Sequence, residues 1–175
     1  MSTSTLVAFA SRYGSTREVA EAVATVLREL AIPVDLRPAR EVRSLEGASA
    51  VVLGAPLYMF RWHADALRFL SRHRSALSAL PVAIFALGPF HDDAKERQDA
   101  RGQLDKELAR FPWLVPAAVE VFGGKFDPAR LDFPYNLMPP LKKIPATDVR
   151  DWAGIRAWAA SLPTRLKPVL RDERS

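Results

Sequence analysis

The sequence predicts an α/β fold, in which helices cover both faces of a parallel five-stranded sheet. Five short apolar segments alternate with longer amphipathic or charged ones, which is the pattern of strand–helix–strand units. The short segments are apolar on both faces, as expected for strands that are buried on both sides of a parallel sheet. The 175 residues show no internal repeat and no convincing linker. We therefore expect one domain over residues 1–162 and a polar, mobile tail over residues 163–175.

The predicted strands are apolar runs bounded by turn residues. They cover residues 5–10, 33–37, 50–54, 81–87 and 117–122. The predicted helices carry apolar residues that recur on one face, except for one highly charged segment. They cover residues 16–31, 63–76, 94–110 and 149–162. Residues 123–147 contain five prolines and no clean period, so no regular element is predicted there.

The composition excludes several kinds of chemistry. The chain has no cysteine, which excludes disulfides, thiolate metal sites, iron–sulfur clusters and cysteine-attached flavin, and which suits a cytoplasmic protein. The three histidines, His63, His73 and His91, lack metal-ligand spacing, so we expect no metal site. No signal peptide is recognisable, and no apolar stretch approaches the roughly 20 residues of a membrane-spanning helix.

Positive charge is concentrated near the C-terminus. The net charge is +5, and from Pro140 onward eight Lys or Arg residues stand against four acidic ones. Such a patch suits an anionic membrane surface, an acidic protein or nucleic acid, and it equally suits an ordinary solvated surface. We expect no nucleic-acid partner, and at most peripheral contact with the inner face of the membrane.

The segment Ser11–Thr16 connects the first strand to the first helix. Free N–H groups and a partial positive charge make a helix N-terminus a ready site for anions. The hydroxyls of Ser11, Ser15 and Thr16 are further donors, Gly14 allows the backbone to come close, and no carboxylate is present. These features predict a phosphate site. The alternative is that Ser15 or Thr16 only caps the helix, with Glu18 completing a capping box.

Other phosphate-binding signatures are absent. There is no G-x-x-x-x-G-K-S/T, the motif of P-loop hydrolases, and no G-x-G-x-x-G follows the first strand. A phospho-acceptor receiver domain shares the architecture but needs acidic residues after the first strand and an aspartate at the end of the third. This chain has Ser-Arg-Tyr and Gly54 at those places.

The six residues Ser11-Arg12-Tyr13-Gly14-Ser15-Thr16 resemble the flavodoxin phosphate loop, S/T-x-T/Y/D-G-x-T, which holds the 5′-phosphate of FMN. Within the flavodoxin-like group, the chain is most similar to menaquinone-dependent protoporphyrinogen oxidase and its flavodoxin-domain relatives. Further likeness lies in VVLGAPLYMFRWHADALRFLSRHRSAL, VFGGKFDPARLDF and DVRDWAGIRAWAASL. The resemblance spans most of residues 5–162 and implies a flavodoxin-like sheet of strand order 2-1-3-4-5. It also implies an FMN-dependent oxidoreductase, with a small-molecule substrate and a quinone as acceptor.

Two more loops at the same edge of the sheet are expected to hold the flavin ring. The loop after strand three is apolar and aromatic, as a flat ring requires; it contains Ala55, Pro56, Leu57, Tyr58 and Met59. Tyr58 is the best candidate for packing on the ring, before Trp62 and Phe60, unless these aromatics only cover the sheet edge. In the loop after strand four, the resemblance implies contacts to the ring, largely from backbone. That loop contains Gly88, Pro89 and Phe90.

Three questions stay open at this point. His63, at the start of the second helix, either hydrogen-bonds near the flavin or caps the helix, and no catalytic residue or oligomeric state is predicted. The family's long basic segment before the last helix has only a short counterpart over residues 132–150, where four prolines prevent a continuous helix. Its cations Lys142, Lys143 and Arg150 would either touch an anionic membrane or belong to a lid over the flavin.

Two other functions compete with the enzyme. Flavodoxin-like domains also serve as protein-to-protein electron carriers, with a redox protein as partner. Such carriers are usually acidic around the flavin, whereas this chain has a pI near 9.9, and the charge therefore favours the enzyme. A flavin-free interaction module is the third possibility.

Overall fold

The computed structural model describes residues 3–58, 61–89, 91, 93–130, 137–142 and 145–167. The strands in this part of the chain are β1 (Ser4–Phe9), β2 (Val34–Pro38), β3 (Ala48–Tyr58), β4 (Arg61–Trp62), β5 (Val82–Leu87), β6 (Ala118–Phe122), β7 (Lys125–Phe126) and β8 (Thr147–Asp148). The helices are α1 (Ser15–Glu29), α2 (Ala64–Arg72), α3 (Arg74–Leu77), α4 (Ala94–Leu108), α5 (Pro139–Lys142) and α6 (Trp152–Arg165). All five predicted strands are present. The predicted helix over 63–76 is divided at His73 into α2 and α3.

The central sheet is parallel and has the order β2-β1-β3-β5-β6. Counted along the chain, these five long strands have the predicted order 2-1-3-4-5, and the flavodoxin-like fold is confirmed. Val7 of β1 pairs with Leu36 on one side and with Val52 on the other. The strand order reverses between β1 and β3, and ligands of open α/β sheets bind beyond the carboxyl ends of the strands at such a point.

Strand β3 is longer than predicted. Ala55 and Pro56, expected in a loop, continue the ladder opposite Ala86 and Leu87 of β5. The next two residues form an antiparallel pair with β4, in which Leu57 lies opposite Trp62. The strand continues because β5 pairs with Ala55 and Pro56 and β4 pairs with Leu57 and Tyr58. The alternation of polarity along the chain does not reveal these partners.

The core has two halves, one on each face of the sheet. On one face, α1 and α6 cover β1, β3 and β5, with Val23, Leu27, Phe85, Ile155 and Leu162 among the buried residues. On the other face, α2 and α4 cover the same strands, with Leu53, Phe69, Leu70, Ile84 and Leu104 buried between them. Leu104 is the one buried residue of the highly charged α4. Burying one such aliphatic or aromatic side chain contributes about 1.5–3 kcal/mol relative to leaving it exposed.

The last helix lies three residues later than predicted at both ends, over Trp152–Arg165 rather than 149–162. Asp151 is its N-cap and accepts a hydrogen bond from the Gly154 N–H at 3.0 Å. Pro163, the predicted start of the tail, lies inside the helix, because the buried face continues through Leu162 to Leu166. Residues 168–175 lie outside the described residues, so their mobility stays a prediction. No helix within the described ranges combines the length and apolar character needed to cross a membrane.

Candidate functional site

The loop between β1 and α1 is shaped by a left-handed glycine. Gly14 is the N-cap of α1 and has a φ of 89°, a conformation that residues with a side chain rarely adopt. Its N–H donates to Ser11 Oγ at 2.9 Å, and its carbonyl accepts from the Glu18 N–H at 3.1 Å. Because the helix begins at Ser15 and the N-cap has no side chain, the capping-box interpretation is wrong. The Glu18 carboxylate instead pairs with Arg150.

Thr16 carries a buried hydroxyl in the first turn of α1. The residue is fully buried, and its Oγ1 has no hydrogen-bond partner among the described residues. A buried polar atom without a partner destabilises a fold by about 1–3 kcal/mol. This hydroxyl therefore destabilises the protein unless a ligand forms a hydrogen bond with it. The first turn of a helix also presents N–H groups that have no partner within the helix. A ligand with several acceptor oxygens, such as a phosphate ester, fits this set of donors.

A mostly apolar pocket opens beside the loop. Four segments form its walls: the β1–α1 loop, the end of β3, the end of β5 and the residues that follow β6. Its lining residues are Arg12, Tyr13, Ser15, Pro56, Leu57, Tyr58, Leu87, Gly124, Lys125, Phe126 and Asp127. We call this the β-edge pocket. Six of these residues belong to the predicted cofactor site, and the structure brings those six together from two separate segments.

Aromatic rings line the β-edge pocket next to the loop. The rings of Tyr13 and Tyr58 contact each other, with centroids 6.0 Å apart and planes tilted by 47°. The guanidinium of Arg12 lies 5.4 Å from the centroid of the Tyr13 ring. Flat apolar surfaces beside a phosphate-type donor set are what a flavin nucleotide requires, so the residues present fit such a cofactor.

Other predicted site residues lie elsewhere. Ser11 and Gly14 line a different pocket, and Ala55 is buried within β3. Gly88 is packed against protein: a Cβ there would lie 3.0 Å from the Ala100 Cβ. Pro89 lines a separate pocket beside α6. Met59, Phe60 and Phe90 lie outside the described residues, and the cofactor contacts proposed for all these residues stay predictions.

Trp62 covers the sheet edge and His63 caps a helix, which were the alternatives to roles beside the flavin. Trp62 is buried in the core, and its Nε1–H donates to the Ala55 carbonyl at 3.0 Å; it therefore covers the sheet edge. His63 caps α2, because its Nδ1 accepts from the Asp65 N–H at 3.0 Å. Burial lowers the pKa of His63, which favours the neutral imidazole that this acceptor role requires. Among the described residues, no cluster of three or more His, Asp or Glu side chains could hold a metal ion.

The segment after β6 was not among the predicted site residues, although Gly124, Lys125, Phe126 and Asp127 line the β-edge pocket. The signal that could have found it is the pair Gly123-Gly124 at the carboxyl end of a strand. A side chain on Gly123 would overlap the Val149 carbonyl. The Gly124 N–H donates to the Pro89 carbonyl at 2.7 Å, and its own carbonyl accepts from the Val149 N–H at 3.1 Å. The glycine pair thus lets the segments at Pro89 and Val149 pack closely against the segment that lines the pocket.

Arg150 corrects another prediction. Its side chain is only 3% exposed and forms ion pairs with Asp148 at 2.7 Å and with Glu18 at 2.8 Å. A guanidinium held in this way does not face a bilayer, so Arg150 is removed from the proposed membrane-facing cations. The side chain of Lys142 and all of Lys143 lie outside what the structure describes, and peripheral membrane contact stays a prediction.

A family model and two curated enzymes match parts of this chain. The family model described as "Flavodoxin domain" matches residues 6–138. The protoporphyrinogen IX dehydrogenase (quinone) of Escherichia coli strain K12 is 31% identical over 85 residues, which are 47% of this chain and 47% of that protein. The same enzyme of Escherichia coli O157:H7 matches to the same extent. The match thus spans about half the length of these curated relatives.

Solved flavodoxins superpose on the chain. A flavodoxin from the domain Archaea has a TM-score of 0.59 and 12% identity, over 95% of this chain and 100% of that one. Oxidised flavodoxin 1 from Bacillus cereus has a TM-score of 0.57 and 17% identity, over 93% of this chain and 98% of that one. At these identities the likeness shows the fold alone.

Proposed function

Because this chain belongs to the flavodoxin-domain family, we propose that it is an FMN-dependent oxidoreductase. The observation that carries the proposal is the buried Thr16 hydroxyl without a partner among the described residues. It lies in the first turn of α1, beside a loop without carboxylates and beside the β-edge pocket. An anionic phosphate would supply the acceptor that this hydroxyl lacks.

The proposed cofactor is FMN, bound without a covalent bond. The loop Ser11–Thr16 would hold its phosphate, and Pro56, Leu57 and Tyr58 would pack against its ring. A single phosphate loop without a second glycine-rich segment favours FMN over FAD. Bound FMN would supply the chemistry of reversible electron transfer, as one or two electrons. The contacts of Ala55, Met59, Gly88, Pro89 and Phe90 with the ring are part of this proposal.

The protein's own residues would orient the reactants and exclude water. Leu57, Tyr58 and Phe126 make the pocket apolar, so that a planar organic molecule is favoured there over water. Arg12 and Lys125 lie at the same pocket and would attract acidic groups on such a molecule, with Asp127 limiting the positive charge. An organic substrate that bears carboxylates is the class that these features suit.

The acceptor is proposed to be a quinone. The name of the Escherichia coli relative specifies protoporphyrinogen IX and a quinone, and we extend those two classes to this chain as its substrate and acceptor. The high isoelectric point and the apolar β-edge pocket support a small-molecule enzyme over an electron carrier that docks on other proteins.

Two measurements test the proposal. The first is the visible spectrum of the purified protein, followed by titration of cofactor-free protein with FMN, FAD and riboflavin. We expect flavin absorbance and binding in the order FMN, riboflavin, FAD; absence of binding would leave the flavin-free module. The second is anaerobic reduction, followed by mixing with a water-soluble quinone. Rapid reoxidation supports the oxidoreductase, whereas reoxidation only by redox proteins would support the carrier.

A further inference from the structure

Arg150 links the end of the chain to the phosphate loop. It lies between β8 and α6, and its Nη1 donates to Glu18 Oε2 at 2.8 Å and to the Ser15 carbonyl at 3.3 Å. Its Nη2 and Nε donate to the Asp148 carboxylate at 2.7 and 2.9 Å. The guanidinium also lies 4.8 Å from the centroid of the Trp152 ring. One buried cation thus holds two carboxylates and a carbonyl of the first turn of α1.

The two carboxylates are a problem for an anion site. Glu18 is in the first turn of α1, where its negative charge opposes any phosphate bound at the same helix end. Asp148 adds a second negative charge on the other side of the guanidinium. The hydrogen bond from Arg150 lowers the pKa of Asp148, and the same bond raises the pKa of Arg150. Arg150 is therefore the positive charge that offsets the two acids.

Arg150 also constrains the loop directly. Ser15 lines the β-edge pocket, and its carbonyl accepts from Nη1 of Arg150. The neighbouring Thr16 carries the buried hydroxyl that the proposed phosphate would meet. A guanidinium with five donors in one plane can serve the carbonyl and both carboxylates at once, whereas an ammonium cannot. The arginine therefore sets both the local charge and the position of the first turn.

We propose that Arg150 is a positioning residue for the cofactor phosphate, which it serves by neutralising Glu18 and Asp148 and by holding the Ser15 carbonyl. The inference rests on the proposed function, because it concerns the phosphate of the same cofactor. The conformation of residues 147–151, which are far from the loop in sequence, would then influence the affinity of the loop for the cofactor phosphate. The sequence contains no hint of this pairing, since 132 positions separate Arg150 from Glu18.

The test compares FMN with riboflavin, which lacks the phosphate, on cofactor-free protein by titration of flavin fluorescence. For Arg150→Met we expect FMN affinity to fall about tenfold or more, because the negative charges of Glu18 and Asp148 are no longer offset. Riboflavin affinity should change less than about threefold. Arg150→Lys keeps the charge and should lose less FMN affinity than Arg150→Met.

The second variant separates charge from packing. Adding Glu18→Gln to Arg150→Met removes the nearest uncompensated carboxylate, and FMN affinity should recover by several-fold without a change for riboflavin. Glu18→Gln alone should leave FMN affinity unchanged or raise it. Inorganic phosphate should compete with FMN more weakly in Arg150→Met than in the unmodified protein. All variants are first compared by thermal unfolding without cofactor.

The outcomes distinguish this inference from the proposed function. Unmodified protein that binds FMN no better than riboflavin overturns the phosphate site itself. A normal preference for FMN, combined with equal losses for both ligands in Arg150→Met, overturns only the role of Arg150. If Arg150→Met does not fold, Arg150→Lys and Glu18→Gln decide: a loss of FMN affinity in Glu18→Gln contradicts the inference.

Discussion

Gly54 and Phe85 are direct partners across the β3–β5 ladder, and the Phe85 ring occupies the space that a Gly54 side chain would need. The ring is fully buried and packs against Phe122 and Trp158, with centroids 6.1 and 5.9 Å away. The ring is therefore held by aromatic side chains of both β6 and α6. A glycine at position 54 is therefore required for the Phe85 ring to fill this space between the sheet and α6.

We expect Gly54→Ala to destabilise the protein strongly, by about 1–3 kcal/mol or more, because the added methyl group overpacks a filled core. Chemical denaturation measures the free energy of unfolding. Gly102→Ala is the matched control, since nothing lies within 4 Å of a Cβ at that exposed position of α4. The control should gain about 0.5–1 kcal/mol from helix propensity. Equal stability of the two variants would contradict the packing of Phe85.

Thr16→Val should separate cofactor binding from stability. Valine keeps the shape but removes the hydroxyl, so FMN affinity should fall about tenfold or more while riboflavin affinity changes little. The free energy of unfolding of the cofactor-free protein should stay the same or rise, because the hydroxyl has no partner within the described chain. A clear loss of stability would show that the hydroxyl is satisfied by the protein.

Ser11→Ala is expected to differ from Thr16→Val. Ser11 Oγ accepts the Gly14 N–H at 2.9 Å, so its removal opens the loop even without cofactor. We expect FMN affinity to fall about tenfold or more, and the free energy of unfolding to fall by about 0.5–1.5 kcal/mol. Differential scanning calorimetry beside a flavin titration measures both. Unchanged stability would show that the loop does not depend on this hydrogen bond.

Tyr58 is expected to act on the ring and not on the phosphate. Tyr58→Ala removes an aromatic surface from the β-edge pocket, and an aromatic contact contributes about 0.5–1.5 kcal/mol. FMN and riboflavin should therefore lose affinity by the same factor, several-fold to about tenfold. Tyr58→Phe keeps the surface and should bind both flavins nearly as the unmodified protein does. A loss confined to FMN would place Tyr58 at the phosphate.

His63 should make stability depend on pH. Burial lowers its pKa below the ordinary value of 6.5, so the unfolded chain takes up the proton first as pH falls. The contribution to stability is complete above pH 6.5 and is lost as pH falls from there through the folded-state pKa. His63→Asn still caps α2 but does not titrate. Its free energy of unfolding should fall less between about pH 7.5 and pH 5.5.

The pH comparison is internally controlled. Burial also lowers the pKa of His73, and this residue is present in both proteins, so only the difference between them reports on His63. We expect that difference because the Asp65 N–H can donate to Nδ1 of His63 only while this nitrogen carries no proton. Identical pH profiles of the two proteins would show that protonation of His63 does not affect the free energy of unfolding between about pH 7.5 and pH 5.5.

Much of the candidate site could be predicted from the sequence, because it depends on the order of residues along a short stretch of chain. A strand followed by Ser11–Thr16 and an amphipathic helix places a phosphate-type loop at the carboxyl edge of a sheet, whatever the rest of the chain does. The apolar stretch ending in Tyr58 was likewise visible as a candidate ring-packing segment. Its backbone was less predictable, since β3 continues through Tyr58 only because β5 and β4 supply partners.

Local order along the chain determined the fold class, the strand order through its family resemblance, and the candidate phosphate loop. The fold class and the candidate loop follow from periodicity and from side chains that are neighbours in sequence, whereas the strand order was implied by the resemblance alone. Only the tertiary structure decided that Trp62 packs inside, that Lys125 and Phe126 close the β-edge pocket, and that Arg150 pairs with Glu18. Each of these depends on a contact between segments far apart in the chain. Such contacts are selected by burial and by charge neutralisation in three dimensions, and a linear pattern of residues does not encode them visibly.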